Sequence, residues 1–127
     1  MEGKLHLEID MTVTPIINPP RRVPFAIKDK LKSELDRLGG LQTIRKEEEP
    51  TNWVSSLFGV EKPNGTLRVC IDPVYLNQAL KRSHYPIEDV LPDLADVKVF
   101  SKADLKDDFM HVELDDESSL RTTFQTP

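Results

Sequence analysis

Three aspartates, Asp104, Asp107 and Asp108, sit just after a short apolar run that carries Val97 and Val99. Carboxylates in such a turn are candidate magnesium ligands, because Mg2+ prefers oxygen donors and is usually held by one or two carboxylates plus substrate phosphates. A carboxylate where a strand ends suits a polymerase-type site. Acidic turns between strands are commonplace, however, and spacing alone favours a solvated turn. A second candidate group lies upstream, where Lys62 and Arg68 flank Asn64-Gly65. A guanidinium can stack on a base while donating hydrogen bonds to phosphate. Against that stands a plain cross-strand pair between Glu61 and Arg68, worth less than roughly 1 kcal/mol. Cys70, His84 and His111 share no metal-ligand spacing, so no zinc site is assigned.

Those candidates need elements to position them. Asn64-Gly65 between two apolar runs is a strong hairpin signal, because both residues tolerate positive φ. It predicts strands over residues 53–61 and 66–72. With those two residues as the loop, Val60 faces Val69, Phe58 faces Ile71, and Glu61 faces Arg68, so that Glu61, Arg68 and Asp72 share a face. The Val97 and Val99 run predicts a strand entering the acidic turn, followed by an alternating segment with Phe109, Val112 and Leu114. Pro24 suits a first helical turn, and Ile27, Leu31, Leu35 and Leu38 follow at helical spacing up to a stop at Gly39-Gly40. Ile87, Val90, Leu91 and Leu94 predict another helix. Near the N-terminus, Leu5, Leu7, Ile9, Met11 and Val13 alternate with polar residues, the period of a half-buried strand. Four prolines at 15, 19, 20 and 24 then favour an extended connector.

Composition narrows the function classes. At 127 residues the chain is one domain with a modest core. Acidic residues outnumber basic ones, 22 to 17, which argues against an independent nucleic-acid binder, whose affinity rests on cations neutralising phosphates. Cys70 is the single cysteine, so a disulfide-stapled secreted scaffold is unsupported. No apolar run approaches the roughly 20 residues of a membrane span, and no signal peptide follows Met1. The expected location is inside the cell, in cytoplasm or nucleus, with no membrane partner.

In order along the chain stand Trp53-Val54-Ser55-Ser56, Glu61-Lys62-Pro63-Asn64-Gly65, Leu67-Arg68-Val69-Cys70-Ile71-Asp72-Pro73, Leu76-Asn77, the Val97-to-Lys106 run around Phe100-Ser101-Lys102-Ala103-Asp104-Leu105, and Leu114-Asp115-Asp116-Glu117-Ser118 through Phe124-Gln125-Thr126-Pro127. This succession resembles the reverse transcriptase of gypsy-type long-terminal-repeat retrotransposons, and it covers nearly the whole chain. The resemblance implies an α+β fold, part of a right-hand polymerase with the fingers hairpin and first palm segment but an incomplete palm. Residues 1–23 would be the connector from an upstream protease, and residues 24–127 the N-terminal part of the polymerase domain.

The resemblance also implies roles. Asp104 matches the first catalytic aspartate and a Mg2+ ligand, with the backbone carbonyl of Leu105 as a further ligand. Arg68 and Lys62 would contact the incoming deoxynucleoside triphosphate, the turn at Asp107 and Asp108 would cradle its phosphates, and Phe109 would be the gate that excludes a ribose 2′-hydroxyl. Template-primer RNA or DNA would be the partner. Two departures stand out. Pro86 abuts Ile87 where the family has a longer connector, and Asp108 replaces a glycine or other small residue. The family's Tyr-x-Asp-Asp motif does not occur within these 127 residues. The expectation is therefore a clipped or decayed reading frame, inactive alone, prone to self-association through an uncovered palm edge. The alternative is a non-catalytic binding or dimerising module derived from a retroelement, and a third reading is a metal-dependent nuclease built on Asp104, Asp107 and Asp108.

Overall fold

A computed structural model describes residues 3–81, 96–99, 101, 103, 104, 106 and 108–127, with Asp108 and Phe109 described by backbone alone. The expected helix around Ile87 and the shortened connector at Pro86 lie outside the described residues. So do Phe100, Lys102, Leu105 and Asp107.

The order is α1 (Phe25–Gly40), β1 (Ser55–Glu61), β2 (Leu67–Asp72), α2 (Val74–Ala79), a 3-10 turn (Asp108–His111), α3 (Asp116–Arg121) and β3 (Phe124–Gln125). The class is α+β. One three-stranded sheet, ordered β2-β1-β3, pairs β1 antiparallel to β2 and parallel to β3. Helix α1 forms where the 3.6-residue stripe predicts it, and its Leu31 and Leu38 are buried. It runs through both glycines expected to stop it. The chain turns only after Leu41, whose N–H reaches Arg37 O at 3.0 Å, and the left-handed residue is Gln42 at φ 58°.

The hairpin forms, but its register is one residue away from the expected one. Gly59 pairs Val69, Val60 pairs Arg68, and Glu61 pairs Leu67. The cause is Pro63. A two-residue Asn64-Gly65 loop would need an N–H from residue 63 to close it, and proline has none. Lys62 closes the turn instead, donating to Thr66 O at 2.8 Å, while Gly65 N–H reaches Lys62 O at 2.9 Å and takes φ 82°. Asn64 Oδ1 accepts from Thr66 N–H at 3.1 Å and Thr66 Oγ1 at 2.6 Å.

Strand alternation then sorts the hairpin side chains into two faces. Leu57, Gly59, Glu61, Leu67, Val69 and Ile71 share the face toward α1. Leu31, Leu57 and Leu67 are buried together there, with Ile27, Leu35, Val69, Ile71 and Phe124 around them. Gly59 is needed because a Cβ at that position would lie 2.9 Å from Leu67 Cδ2. Leu67 is only 6% exposed and cannot swing aside freely. Gly59→Ala should therefore destabilise the fold by about 1–2 kcal/mol in urea unfolding, although removing a strand glycine ordinarily helps. A second cluster, Trp53, Leu76 and Ala79, is flanked by Ile9, Val13 and Leu80.

Two expected strands do not form among the described residues. The segment at residues 5–13 is extended but makes only isolated bridges, Leu5 to Leu114 and Ile9 to Leu80, and Met11 is 81% exposed in a turn. Alternation produced an extended backbone, yet no single neighbouring strand runs beside it. Residues 97–99 are irregular, with Val99 80% exposed. Farther on, residues 108–111 coil into the 3-10 turn, so the expected alternation starting at Phe109 is not formed.

The C-terminal helix starts on Asp115, whose carboxylate accepts from Ser118 N–H at 2.8 Å, and Asp116 and Glu117 occupy its positive first turn. Ser118, through its hydroxyl and backbone N–H, and then His6 hold the Asp115 carboxyl down from its ordinary 3.8 to about 2. A depressed carboxyl contributes stability that is fully present above 3.8 and is lost as pH falls through about 2. The urea midpoints of the native chain and Asp115→Asn should consequently differ at pH 7 and converge near pH 2.

Candidate functional site

The register decides what the hairpin presents. Ser56, Phe58, Val60, Arg68, Cys70 and Asp72 share the face away from α1. Glu61 and Arg68 thus lie on opposite faces, which overturns the expected pairing. Glu61 forms its ion pair with Lys30 of α1 instead. The Arg68 side chain is exposed and makes no hydrogen bond or ion pair among the described residues. Its guanidinium is available to an outside ligand. Lys62 is also exposed, at the turn, and its charge helps to lower the Glu34 carboxyl, after the larger effect of Arg37.

At the other end of the same face, Arg21 reaches Asp72 at 2.5 Å and stacks 5.6 Å from the Phe58 ring centroid. That contact ties the proline-rich segment to the sheet. A cation–π contact of this kind typically contributes about 0.5–1 kcal/mol at an exposed site. Arg21 falls in the expected connector, and nothing in the local sequence indicates that Phe58 and Asp72 lie within its reach.

The acidic segment is less assembled than the hairpin. Asp104 is exposed, with no hydrogen bond or ion pair among the described residues. Leu105 and Asp107, the expected carbonyl ligand and one end of the phosphate cradle, lie outside the described residues. Asp108 and Phe109 contribute backbone to the 3-10 turn, which His111 braces by donating from Nε2 to Lys106 O at 3.1 Å. Among the described residues no three His, Cys, Asp or Glu side chains converge as a metal site would require. A single exposed carboxylate would hold Mg2+ only together with further ligands such as substrate phosphates. No hydrogen bond or ion pair among the described residues links Asp104 to Arg68 or Lys62.

Two charged groups that the motif reading passes over are well placed. Asp115, besides capping α3, receives His6 Nδ1 at 2.6 Å, and Arg121 donates from Nη1 to Leu7 O at 2.5 Å while pairing with Glu117. The signal for the first was present, because Asp115-Asp116-Glu117-Ser118 is an N-cap followed by acidic first-turn residues. No helix among the described residues is long and apolar enough to cross a membrane.

No protein-family model matches the chain. It is similar to an uncharacterized protein of Caenorhabditis elegans, K02A2.6, with 30% identity over 129 aligned positions that take in 97% of this chain. The same alignment takes in 10% of the nematode protein, so the chain spans about a tenth of that relative's length.

Proposed function

We propose that this chain is the fingers hairpin and first palm segment of a retrotransposon reverse transcriptase, and that it does not polymerise by itself. The observation that carries the reading is order. The motifs from Trp53 to Pro127 follow one another as in gypsy-type polymerases, and similarity to a protein roughly ten times longer takes in 97% of the chain. The hairpin face with Arg68 free and the exposed Val99 support it, as surfaces that further chain, template or nucleotide would cover. In this reading Asp104 is one ligand of the catalytic Mg2+ pair, Leu105 lends its carbonyl, Arg68 and Lys62 meet the triphosphate, the turn at Asp107 and Asp108 approaches its phosphates, and Phe109 gates the sugar. In this reading the full-length polymerase works inside the cell on an RNA or DNA template-primer.

The test supplies what is missing. A downstream segment carrying Tyr-x-Asp-Asp is fused after Pro127, and primer extension on RNA is measured with magnesium. Extension by the fusion that disappears in Asp104→Asn is the expected result. Extension that survives Asp104→Asn would remove Asp104 from the site. A fusion that folds cooperatively, binds template-primer and still extends nothing would favour the second reading, a non-catalytic binding module with Arg68 on its exposed face.

A further inference from the structure

The segment expected to be a half-buried strand followed by a proline-rich connector makes a series of specific contacts. Its first station is the C-terminal region. Leu5 N–H donates to Glu113 O at 2.8 Å and Leu5 O accepts from Asp115 N–H at 3.0 Å. Leu7 is held from both sides, its N–H by Ser118 Oγ at 2.8 Å and its carbonyl by Arg121. Ser118 is completely buried. The second station is the end of α2, where Lys81 N–H donates to Glu8 O at 2.9 Å and Asp10 N–H to Ala79 O at 2.7 Å. Ile9 and Val13 pack there on Trp53, Leu76 and Ala79. The third station is the start of β1. Val54 N–H donates to Ile16 O at 3.1 Å, its carbonyl accepts from Asn18 N–H at 2.8 Å, and Ser56 Oγ donates to Pro19 O at 3.2 Å.

We infer that residues 5–21 are an integral strap, and that the surface formed by α3, the end of α2 and the start of β1 is a groove built for this chain's own extended N-terminal segment. Recognition is through main-chain groups at every station, with Ile9 and Val13 supplying the apolar filling. That is how a groove holds an extended peptide. The inference is independent of the polymerase reading. It moves the structural boundary from Pro24 to the neighbourhood of Lys4. In any longer polypeptide, removing everything before Lys4 leaves the fold intact, whereas removing residues 5–21 does not.

Thr14 and Pro15 are exposed between the second and third stations, so a protease recognition sequence inserted between them leaves the contacts in place. Hydrogen exchange in the uncut chain should show the amides of Leu5, Leu7 and Asp10 exchanging at least roughly 100-fold slower than in a free peptide of residues 1–14. After cutting, the released segment should co-elute with the remainder in native size exclusion, or its removal should abolish cooperative unfolding. Ser118→Ala should speed exchange at Leu7 by about tenfold or more while the β1 and β2 amides keep their rates. Free-peptide exchange rates at Leu5, Leu7 and Asp10 would overturn the inference. So would departure of the segment from a remainder that melts at an unchanged temperature, or an unaltered Leu7 rate in Ser118→Ala.

Discussion

Incubated with a primed RNA template, deoxynucleoside triphosphates and magnesium or manganese, the 127-residue chain should give no extension above background. Nucleotidyl transfer of this class uses two ions held roughly 3.5–4 Å apart by bridging carboxylates. In the proposed reading Asp104 is the single matching carboxylate; it is exposed, and no three His, Cys, Asp or Glu side chains converge as a metal site among the described residues. Each lost preorganised group typically costs a factor of about 10²–10³, so several losses together leave nothing to detect. Asp108 adds an opposing effect in the proposed site. A carboxylate about 4 Å from a phosphate repels by roughly 4 kcal/mol at an effective dielectric near 20. Asp108→Gly alone should nevertheless rescue nothing, because the ion ligands stay missing. Magnesium-dependent extension by the native chain, abolished in Asp104→Asn, would falsify this and make the chain a minimal polymerase.

The largest stability effect should come from Leu57→Ala. Leu57 is 1% exposed in the central strand, between Leu31 of α1 and Leu67 of β2. Truncating a buried leucine removes transfer energy and leaves a cavity, at a cost of about 2–5 kcal/mol. A domain of this size has only about 5–15 kcal/mol in total. Urea unfolding should show the midpoint falling by a large fraction, with an unchanged slope. Val60→Ala is the matched control. Val60 is 47% exposed on the opposite face, and its truncation should cost no more than about 0.5 kcal/mol. The comparison also tests the register. In the one-residue-shifted pairing expected from Asn64-Gly65, Val60 and Phe58 would line the apolar face, and Val60→Ala would be the costly substitution.

Local pattern was enough to find α1, because its apolar stripe recurs over four turns and each repeat reinforces the same face. It was enough to find a hairpin, because Asn64-Gly65 tolerates the backbone that reversal requires. Arg68 was legible as a candidate contact, and the structure leaves it exposed and without a partner among the described residues. The residues at 5–13 show where pattern stops. A period of two specifies an extended chain, but a strand also needs a partner along its length, and here the partners at Leu114 and Leu80 belong to different segments. β3 carries no pattern at all in two residues. It exists because Phe124 meets Ser55 in parallel register across 69 positions of chain.

What the amino-acid order determined by itself is therefore short-range: the helix at Phe25–Gly40, the turn at Pro63-Asn64-Gly65, the cap at Asp115 and the succession of motifs that suggests a polymerase. Tertiary structure decided the register of the hairpin, the partner of Glu61, the clamp of Arg21 on Phe58 and Asp72, and the capture of residues 5–21. The physical reason is the range of the interactions. Dihedral preference, capping and amphipathic period act within a few residues and can be read in place. Hydrogen bonds from Leu5 to Glu113, or from Leu7 to Ser118, depend on which backbone groups the rest of the fold has left without partners.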